Sequence, residues 1–308
     1  MSSTFTEVKM RYAWLCAVWD TDPAPEGTGE AMATSSPAVS RRERNRAATR
    51  TEIKQTALDL MRGHGTTDVR FTDIARVMGL TPPALYRYYA DRDELLTEMI
   101  TDGYQDLSAA LASARAGAAS SDPGGRLLAV GYAYRAWALE DPQRFALIFG
   151  LPVPGYAAPQ EGPTVVAAKQ AMANLADVVL SAAADGTLGR PLITAVGPAL
   201  AAELADRKNQ PGYPTGEALA DPGVLPPAAL AGPAGPEPAP DEIDPATHQA
   251  MLSCWASLHG FVCLDAYGHL DWFGEQAREE LFRAQLTLAA VSLGMTVPPD
   301  ADTPGTAD

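Results

Sequence analysis

The sequence is organised around residues 81–96, TPPALYRYYADRDELL, which carry the signals for two helices joined by a tight turn. Thr81 is a residue type that caps helix starts, and Pro82 suits the first helical position, where no amide hydrogen is needed. We expect a recognition helix of about two turns that begins at this cap and ends near Tyr89. So short a helix leaves only a few side chains to contact a partner.

The next helix is predicted to begin directly after this turn. Asp91, followed three residues later by Glu94, forms the pattern of a capping box. Arg92 would lie in the first helical turn, where the helix dipole is unfavourable for a cation unless an anion is near. We therefore expect Arg92 to meet an external anion such as a DNA phosphate.

The side chains of the recognition helix divide between two faces. Leu85 and Tyr89, spaced by four, would face inward, whereas Tyr86, Arg87 and Tyr88 would face out. All three tyrosines could instead be core aromatics of a helical bundle, but three tyrosines within four residues cannot share one helix face. Tyrosine and arginine suit phosphates and base edges, so this surface is predicted to contact DNA, with Tyr89 mainly in the core.

Upstream, residues 71–79, FTDIARVMG, complete a helix-turn-helix. Ile74, Ala75 and Met78 form the buried stripe of the first helix, and Gly79 allows the sharp turn. A helix-turn-helix presents its second helix to the major groove of DNA.

The run IARVMGLTPPALYRYYADRDELL, residues 74–96, resembles the DNA-binding domain of the TetR family of bacterial transcriptional regulators, and the resemblance covers roughly residues 41–104. It implies a three-helix reader followed by an α-helical body that dimerises and whose ligand signal passes through the fourth helix. One position departs from the pattern. Arg70 stands where many members carry a capping Ser or Thr, so Asp68 or the backbone must cap that helix.

Two segments of the body resemble one TetR subfamily, which carries a Trp-His-Gly signature in its C-terminal domain. They are WASLHG at residues 255–260 and PQRFALIFGLPVPGYAAP at residues 142–159.

The charge is divided unevenly along the chain. The protein of 308 residues has a net charge of −15, but residues 41–92 carry eleven Lys and Arg against six Asp and Glu, a net of +5. The remainder therefore carries −20. This asymmetry favours a basic DNA reader joined to an acidic body that DNA repels.

A first helix is predicted over residues 41–64, and its front carries four arginines. Such a run is usually a solvated helix face, but beside a helix-turn-helix it can reach phosphates or the minor groove. The predicted DNA-contacting residues are Arg41, Arg42, Arg44, Arg46, Arg70, Thr72, Thr81, Pro82, Tyr86, Arg87, Tyr88 and Arg92.

Helical periodicity continues through the body, and no period-two pattern of useful length interrupts it. The fold class is therefore predicted to be all-α. Further helices are predicted over residues 92–119, 123–140, 142–150, 163–184, 191–206, 245–268 and 274–294. The predicted domains are an N-terminal extension that is disordered or over-called (1–40), a DNA-binding domain (41–90), an effector-binding and dimerisation domain (91–296) and a disordered tail (297–308).

Two segments fall outside this pattern. Residues 209–245 contain ten prolines, five glycines and no Lys or Arg, which predicts a long mobile loop, either a passive insertion or a lid on the pocket. Residues 1–40 include an apolar run too short to span a bilayer, and Met32 opens a segment typical of a start in this family. We assign no function to the extension.

Six residues of the body are predicted to bind a ligand, and five of them form an apolar wall. They are Trp137, Phe145, Phe149, Met172, Trp255 and His259. His259 lies one turn beyond Trp255, so it is either the polar anchor of a pocket or a packing device whose imidazole bonds to a backbone carbonyl.

Dimerisation is predicted through the last two helices, at Met251, Ala277, Leu281, Ala284, Leu288 and Val291.

The cysteines do not indicate a disulfide framework or a metal site. Their odd number and scattered positions suit a reducing cytoplasm. Cys254, His259, Cys263 and His269 fan around one helix, so that only His259 and Cys263 share a face. No catalytic or phosphate-binding motif is present, so neither a cofactor nor an enzyme activity is expected.

Together with the resemblance to the TetR family, these patterns predict a homodimeric regulator in the cytoplasm that binds double-stranded DNA at a palindromic operator and is released by a small, largely apolar effector. A repressor is the leading interpretation, and an activator of the same fold is the alternative. A third alternative is an all-α scaffold for protein contacts, against which the charge of +5 in the reader argues. No membrane association is expected.

Overall fold

The computed structural model describes residues 41–119, 121–151, 153–158, 162–208 and 243–297. The predictions for residues 1–40, for most of the proline-rich segment and for nearly all of the tail lie outside these residues. Within them the chain forms helices and no strand, which confirms the all-α prediction. The helices are α1 (Arg41–His64), α2 (Phe71–Val77), α3 (Pro82–Leu85), α4 (Arg92–Gly117), α5 (Pro123–Glu140), α6 (Pro142–Phe149), α7 (Pro163–Ala184), α8 (Pro198–Lys208), α9 (Pro245–Ala266) and α10 (Glu275–Ser292).

Several helix starts follow from local chemistry. The Asp141 carboxylate accepts from the backbone N–H of Arg144 at 3.1 Å, and Pro142 occupies the first position of α6. Asp244 caps α9 in the same way, accepting from the amides of Ala246 and Thr247. An oxygen cap followed by proline satisfies the free amides of a helix start, which explains why these boundaries match the predicted ones closely.

The recognition helix is shorter than predicted. Regular α-helix covers only Pro82–Leu85, and the chain continues through a turn in which the amides of Tyr88 and Tyr89 both donate to the carbonyl of Leu85. The Thr81 hydroxyl makes no cap hydrogen bond, so this part of the prediction is wrong. The reason is that Pro83 has no N–H, and the next amide, on Ala84, donates to the Thr81 carbonyl at 2.8 Å instead.

A second boundary also differs, because α8 begins at Pro198 and residues 191–197 are irregular. The amide of Leu192 donates to the carbonyl of Ser292 at 3.1 Å, which diverts it from any helical ladder.

The described residues fall into two compact units. Unit 1 comprises residues 41–106 and 140–168, and unit 2 comprises residues 107–139, 169–208 and 243–297. Unit 1 thus holds the predicted DNA-binding domain together with α6 and the first part of α4. Its core includes the fully buried Ile53, Met61, Ile74 and Leu85.

Unit 2 is built on α5, α9 and α10. Gly131 of α5 lies against Leu286 of α10, where a Cβ on the glycine would overlap the leucine side chain. Arg135 of α5 is buried and donates from Nε to the Asp265 carboxylate at 2.7 Å, and Arg278 contacts the other oxygen of that carboxylate at 3.1 Å. A buried carboxylate shared by two guanidiniums ties the three helices together.

One described helix, α7, is long and apolar enough by length and composition to cross a membrane, with half of its most apolar window buried. The core helix of a soluble protein has the same properties, so this is weak evidence for a span.

Candidate DNA-binding surface

The turn between α2 and α3 has the predicted form. Gly79 adopts a left-handed conformation, with φ of 65°, and the amide of Leu80 donates to the carbonyl of Ala75 at 2.8 Å. A side chain at position 79 would be strained in this conformation, so glycine is required for the sharp turn. Ile74 and Ala75 are buried as predicted, and Met78 is half-buried.

Two arginines of α1 hold the turn that follows α3. Arg46 donates from Nη2 to the carbonyl of Arg87 at 3.2 Å, and Arg50 donates from Nη1 to the carbonyl of Tyr88 at 2.7 Å. The Arg50 guanidinium also lies 4.2 Å from the centroid of the Tyr89 ring, a cation–π contact. The first helix therefore fixes the backbone of the residues that are predicted to touch DNA.

Arg50 was not predicted as a site residue. Its position is stabilised by an ion pair with Glu98 of α4, which Lys54 also contacts at 2.8 Å. Burial of the Glu98 carboxyl opposes ionisation, but the hydrogen bonds from Arg50 and Lys54 outweigh burial and lower its pKa. The spacing of four between Arg46, Arg50 and Lys54 indicated a single basic face of α1, and this was the available signal.

Most of the predicted DNA-contacting side chains are open to solvent. Tyr86 is 57% exposed, with its ring 5.3 Å from that of Phe71 at the start of α2. Tyr88 is half-buried, and Tyr89 is 1% exposed, which confirms its assignment to the core. The exposed members are Arg41, Arg42, Arg44, Arg46, Arg70, Thr72, Thr81, Pro82, Tyr86 and Arg87.

Arg92 contacts the protein itself, contrary to expectation. Its guanidinium donates to the carbonyl of Val69 at 2.8 Å, to the Asp68 carboxylate at 2.6 Å and to the carbonyl of Pro154 at 3.2 Å. The anion that offsets the unfavourable helix dipole is therefore Asp68. The Asp68 carboxylate pairs with Arg92 and does not cap α2. The first amides of α2, those of Asp73 and Ile74, donate to the backbone carbonyl of Arg70 instead.

The predicted capping box at the start of α4 is confirmed. The amide of Glu94 donates to the Asp91 carboxylate at 2.8 Å, and the Glu94 carboxylate accepts from the amide of Ala90 at 2.6 Å. The Asp91 carboxylate thus satisfies a backbone donor that the helix start would leave free, whereas Glu94 reaches back to the residue before the cap and not to the cap residue itself.

The predicted ligand-binding residues are divided between the two units. In unit 1, the Phe145 and Phe149 rings lie 5.3 Å apart, and the Tyr104 ring meets Phe149 edge-on at 5.8 Å. In unit 2, the buried residues Trp137, Met172 and Trp255 accompany the half-buried His259.

The surroundings of His259 favour the packing interpretation. Its ring stacks on Trp255 at a centroid distance of 5.0 Å, and its Nδ1 lies 2.7 Å from the hydroxyl of Tyr134. Nδ1 is therefore paired with a tyrosine hydroxyl of α5, which the sequence did not indicate, and the Cys263 thiol lies 3.4 Å from Nε2. Burial lowers the pKa of His259 to about 4, so the imidazole is neutral. Within the described residues no group of three or more His, Cys, Asp or Glu is placed to hold a metal ion.

One predicted dimer-interface residue is enclosed within its own chain, since Met251 is 3% exposed. It therefore cannot meet a partner, and this part of the prediction is corrected. The other five lie on one open stripe of α10, and α9 has an open stripe of small and apolar residues. We call these stripes the α9–α10 face, which comprises Ser253, Ala256, Ser257, Gly260, Leu264, Ala277, Leu281, Ala284, Leu288 and Val291.

Comparisons with family models agree with this architecture. The model described as "Bacterial regulatory proteins, tetR family" matches residues 53–99, which span the helix-turn-helix. The model described as "Tetracyclin repressor-like, C-terminal domain" matches residues 127–289, more than half of the chain. The Trp-His-Gly subfamily stays a prediction.

Individual relatives give the same picture. The chain is 39% identical over 106 residues to "HTH-type transcriptional regulator Rv1816" of Mycobacterium tuberculosis (strain ATCC 25618 / H37Rv) and to "HTH-type transcriptional regulator Mb1846" of Mycobacterium bovis. The match spans 34% of this chain and only 45% of each of those relatives.

Solved structures resemble the chain over a greater length. SCO4313, a protein provisionally described as regulatory, is 32% identical, with a TM-score of 0.55 over 81% of this chain and 98% of its own. A protein from Rhodococcus sp. RHA1 shares the fold at 20% identity, with a TM-score of 0.53 over 87% of this chain and 100% of its own. The chain therefore belongs to the TetR family, whose members are DNA-binding transcriptional regulators and not enzymes.

Proposed function

We propose that the protein is a ligand-released repressor that binds a palindromic operator as a homodimer in the cytoplasm. Its DNA contacts come from the exposed arginines at the start of α1, from Arg70 and Thr72 at the start of α2, and from residues 81–88. Arg92 is left out, since its guanidinium is engaged within the protein.

The observation that carries this proposal is the anchoring of the Arg87 and Tyr88 carbonyls by Arg46 and Arg50. Tyr86 and Arg87 are thereby presented from a fixed backbone beside a cluster of cations. A preorganised basic surface with a few exposed polar and aromatic side chains suits phosphate positioning together with readout of base edges.

The proposal is tested by selecting bound fragments from the source genome and measuring their affinity by fluorescence anisotropy. Arg87→Ala should weaken binding and lower the slope of log affinity against log salt by about one unit, because one phosphate contact is lost. Arg115→Ala is a matched control, since this arginine lies in unit 2 and pairs with Asp177. Equal effects of the two variants would contradict the proposed surface.

The two-fold symmetry of a homodimer would require an operator of two inverted half-sites, with centres one helical turn or roughly 34–36 Å apart. The α9–α10 face supports this arrangement. It is an open, largely uncharged surface on two adjacent helices, and pairing with its symmetry mate would give a four-helix bundle. A transcription assay on a promoter with this site distinguishes repression from the alternative, activation.

The effector is proposed to be small, largely apolar and equipped with one hydrogen-bond acceptor. Trp137 is 7% exposed, and within the described residues its indole N–H has no hydrogen-bond partner. A buried donor without a partner costs about 1–3 kcal/mol, which a bound acceptor would recover. Full release from DNA needs an effector that prefers the released state by several kcal/mol.

A thermal-shift screen of apolar compounds tests this proposal. A compound that uses the indole N–H should stabilise the wild type but lose much of that stabilisation in Trp137→Phe, which keeps the apolar ring. Phe149→Ala tests separately whether a compound binds at the aromatic pair of unit 1, and it should leave the dimer intact. Equal stabilisation of all three proteins would place the effector elsewhere.

A further inference from the structure

An irregular segment is attached to the C-terminal end of α10 and to the N-terminal part of α9. We call residues 189–195 the strap. The amide of Gly189 donates to the carbonyl of Gly294 at 3.0 Å, and the amide of Leu192 donates to the carbonyl of Ser292 at 3.1 Å. The side-chain amide of Gln249 on α9 donates to the carbonyl of Ala195 at 3.3 Å.

The strap is attached by an unusually close backbone approach. A Cβ on Gly189 would overlap the carbonyl oxygen of Gly294, and a Cβ on Gly294 would overlap the carbonyl oxygen of Gly189. Gly294 also has a φ of 82°, a left-handed conformation that side chains disfavour. The two glycines therefore fix the position of the strap on the C-terminal end of α10.

The strap exposes two large apolar side chains, since Leu192 is 65% exposed and Ile193 is 62% exposed. Both of its helix anchors lie at the ends of the open stripes. Ser292 directly follows Val291, the last open residue of α10, and Gln249 lies one helical turn before Ser253, the first open residue of α9. The strap is thus anchored close to one end of each open stripe, where its exposed apolar side chains can extend the α9–α10 face.

We propose that the strap is a second part of the dimer interface, in which Leu192 and Ile193 pack against a second copy of this chain. This inference rests on the proposed homodimer. A stable interface takes roughly 20–30 residues from each partner. The α9–α10 face offers ten, of which several are Ala, Ser or Gly with little area to bury. An apolar segment at its edge supplies part of the missing contact.

The first test is a dilution series by sedimentation velocity with the full chain. Leu192→Asp combined with Ile193→Asp should raise the dissociation constant of the dimer by roughly 100-fold, because two apolar side chains are replaced by charges at a buried contact. Leu151→Asp is the matched control, since Leu151 is 86% exposed and belongs to unit 1. Far-UV circular dichroism checks that each variant keeps its helicity.

The second test places a photo-crosslinking amino acid at position 193, which should produce a covalent dimer, whereas the same group at position 151 should not. A crosslink within one chain, for example to residues 209–242, would show that position 193 contacts its own chain and would overturn the proposal. A dimer that is lost in Leu281→Asp/Leu288→Asp but unaffected in the strap variant would refute the strap alone. A monomeric wild type would refute both the strap and the proposed homodimer.

Discussion

Arg50 donates a 2.7 Å hydrogen bond to the backbone carbonyl of Tyr88, which lies 38 positions further along the chain. The bond joins the first helix to the turn that displays Tyr86 and Arg87. The same guanidinium contacts Glu98 and the ring of Tyr89, so one side chain links α1, the recognition turn and α4. The orientation of the proposed reading surface therefore depends on a residue that we do not expect to touch DNA.

This arrangement predicts that Arg50→Ala weakens operator binding without changing its salt dependence. The loss should be about tenfold, because a charge-assisted hydrogen bond to the turn disappears while every phosphate contact remains. Anisotropy titrations over a range of salt concentrations measure both quantities, with Arg87→Ala as the comparison whose slope should fall. A slope that falls by one unit in Arg50→Ala would make Arg50 a direct phosphate donor.

Arg92→Ala should lower stability and leave the salt slope unchanged. Its pair with the exposed Asp68 contributes little, but its bond to the carbonyl of Val69 leaves a partly buried acceptor unpaired when it is removed. We expect a loss of about 1 kcal/mol in urea unfolding. An unchanged unfolding midpoint together with a smaller slope would restore Arg92 to the DNA interface.

The double substitution Leu281→Asp/Leu288→Asp should separate the dimer. Leu281 is 44% exposed and Leu288 is 56% exposed in the single chain, so the changes should leave the fold of the monomer intact. Within a dimer interface they would bury charges without partners, which costs several kcal/mol. If sedimentation finds the variant still dimeric at micromolar concentration with its helicity unchanged, the interface lies on another surface.

Stability should fall between pH 6.5 and pH 4 because of His259. Its pKa is about 4 in the folded protein and 6.5 in the unfolded chain, so the unfolded chain binds a proton first as the pH falls. The free energy of unfolding is therefore unaffected by this histidine above pH 6.5 and falls as the pH is lowered toward 4. After allowance for partial exposure, the loss amounts to about 2 kcal/mol. Urea unfolding of His259→Gln should show a shallower loss over this range. The exposed His64 serves as control, and an identical pH profile for His64→Gln and His259→Gln would exclude this cause.

Gly189→Ala should destabilise the protein by more than about 1 kcal/mol, because a Cβ at this position overlaps the backbone of Gly294. Gly197→Ala is the matched control nearby, since nothing lies within 4 Å of a Cβ there. That change should cost clearly less than Gly189→Ala, because it displaces no atom and only places a poorer residue at the start of α8. Similar melting temperatures for the two variants would show that the strap is not held by the glycine contact.

The sequence by itself determined the helical class, the position of the helix-turn-helix and most helix boundaries. These features depend on interactions between residues close in the chain. The Asp91–Glu94 capping box, the turn at Gly79 and the burial of Tyr89 follow from side-chain type and from spacings of three or four residues.

The tertiary structure alone decided the partners of charged and polar groups. Arg92 met Asp68 rather than an external anion, Arg50 reached Tyr88, and His259 met the hydroxyl of Tyr134 on another helix. Long polar side chains can reach many partners at similar energies, so the choice depends on which helices the packing brings together. The burial of Met251 and the exposure of the strap have the same origin, because helical periodicity gives a residue its face but not the element that covers it.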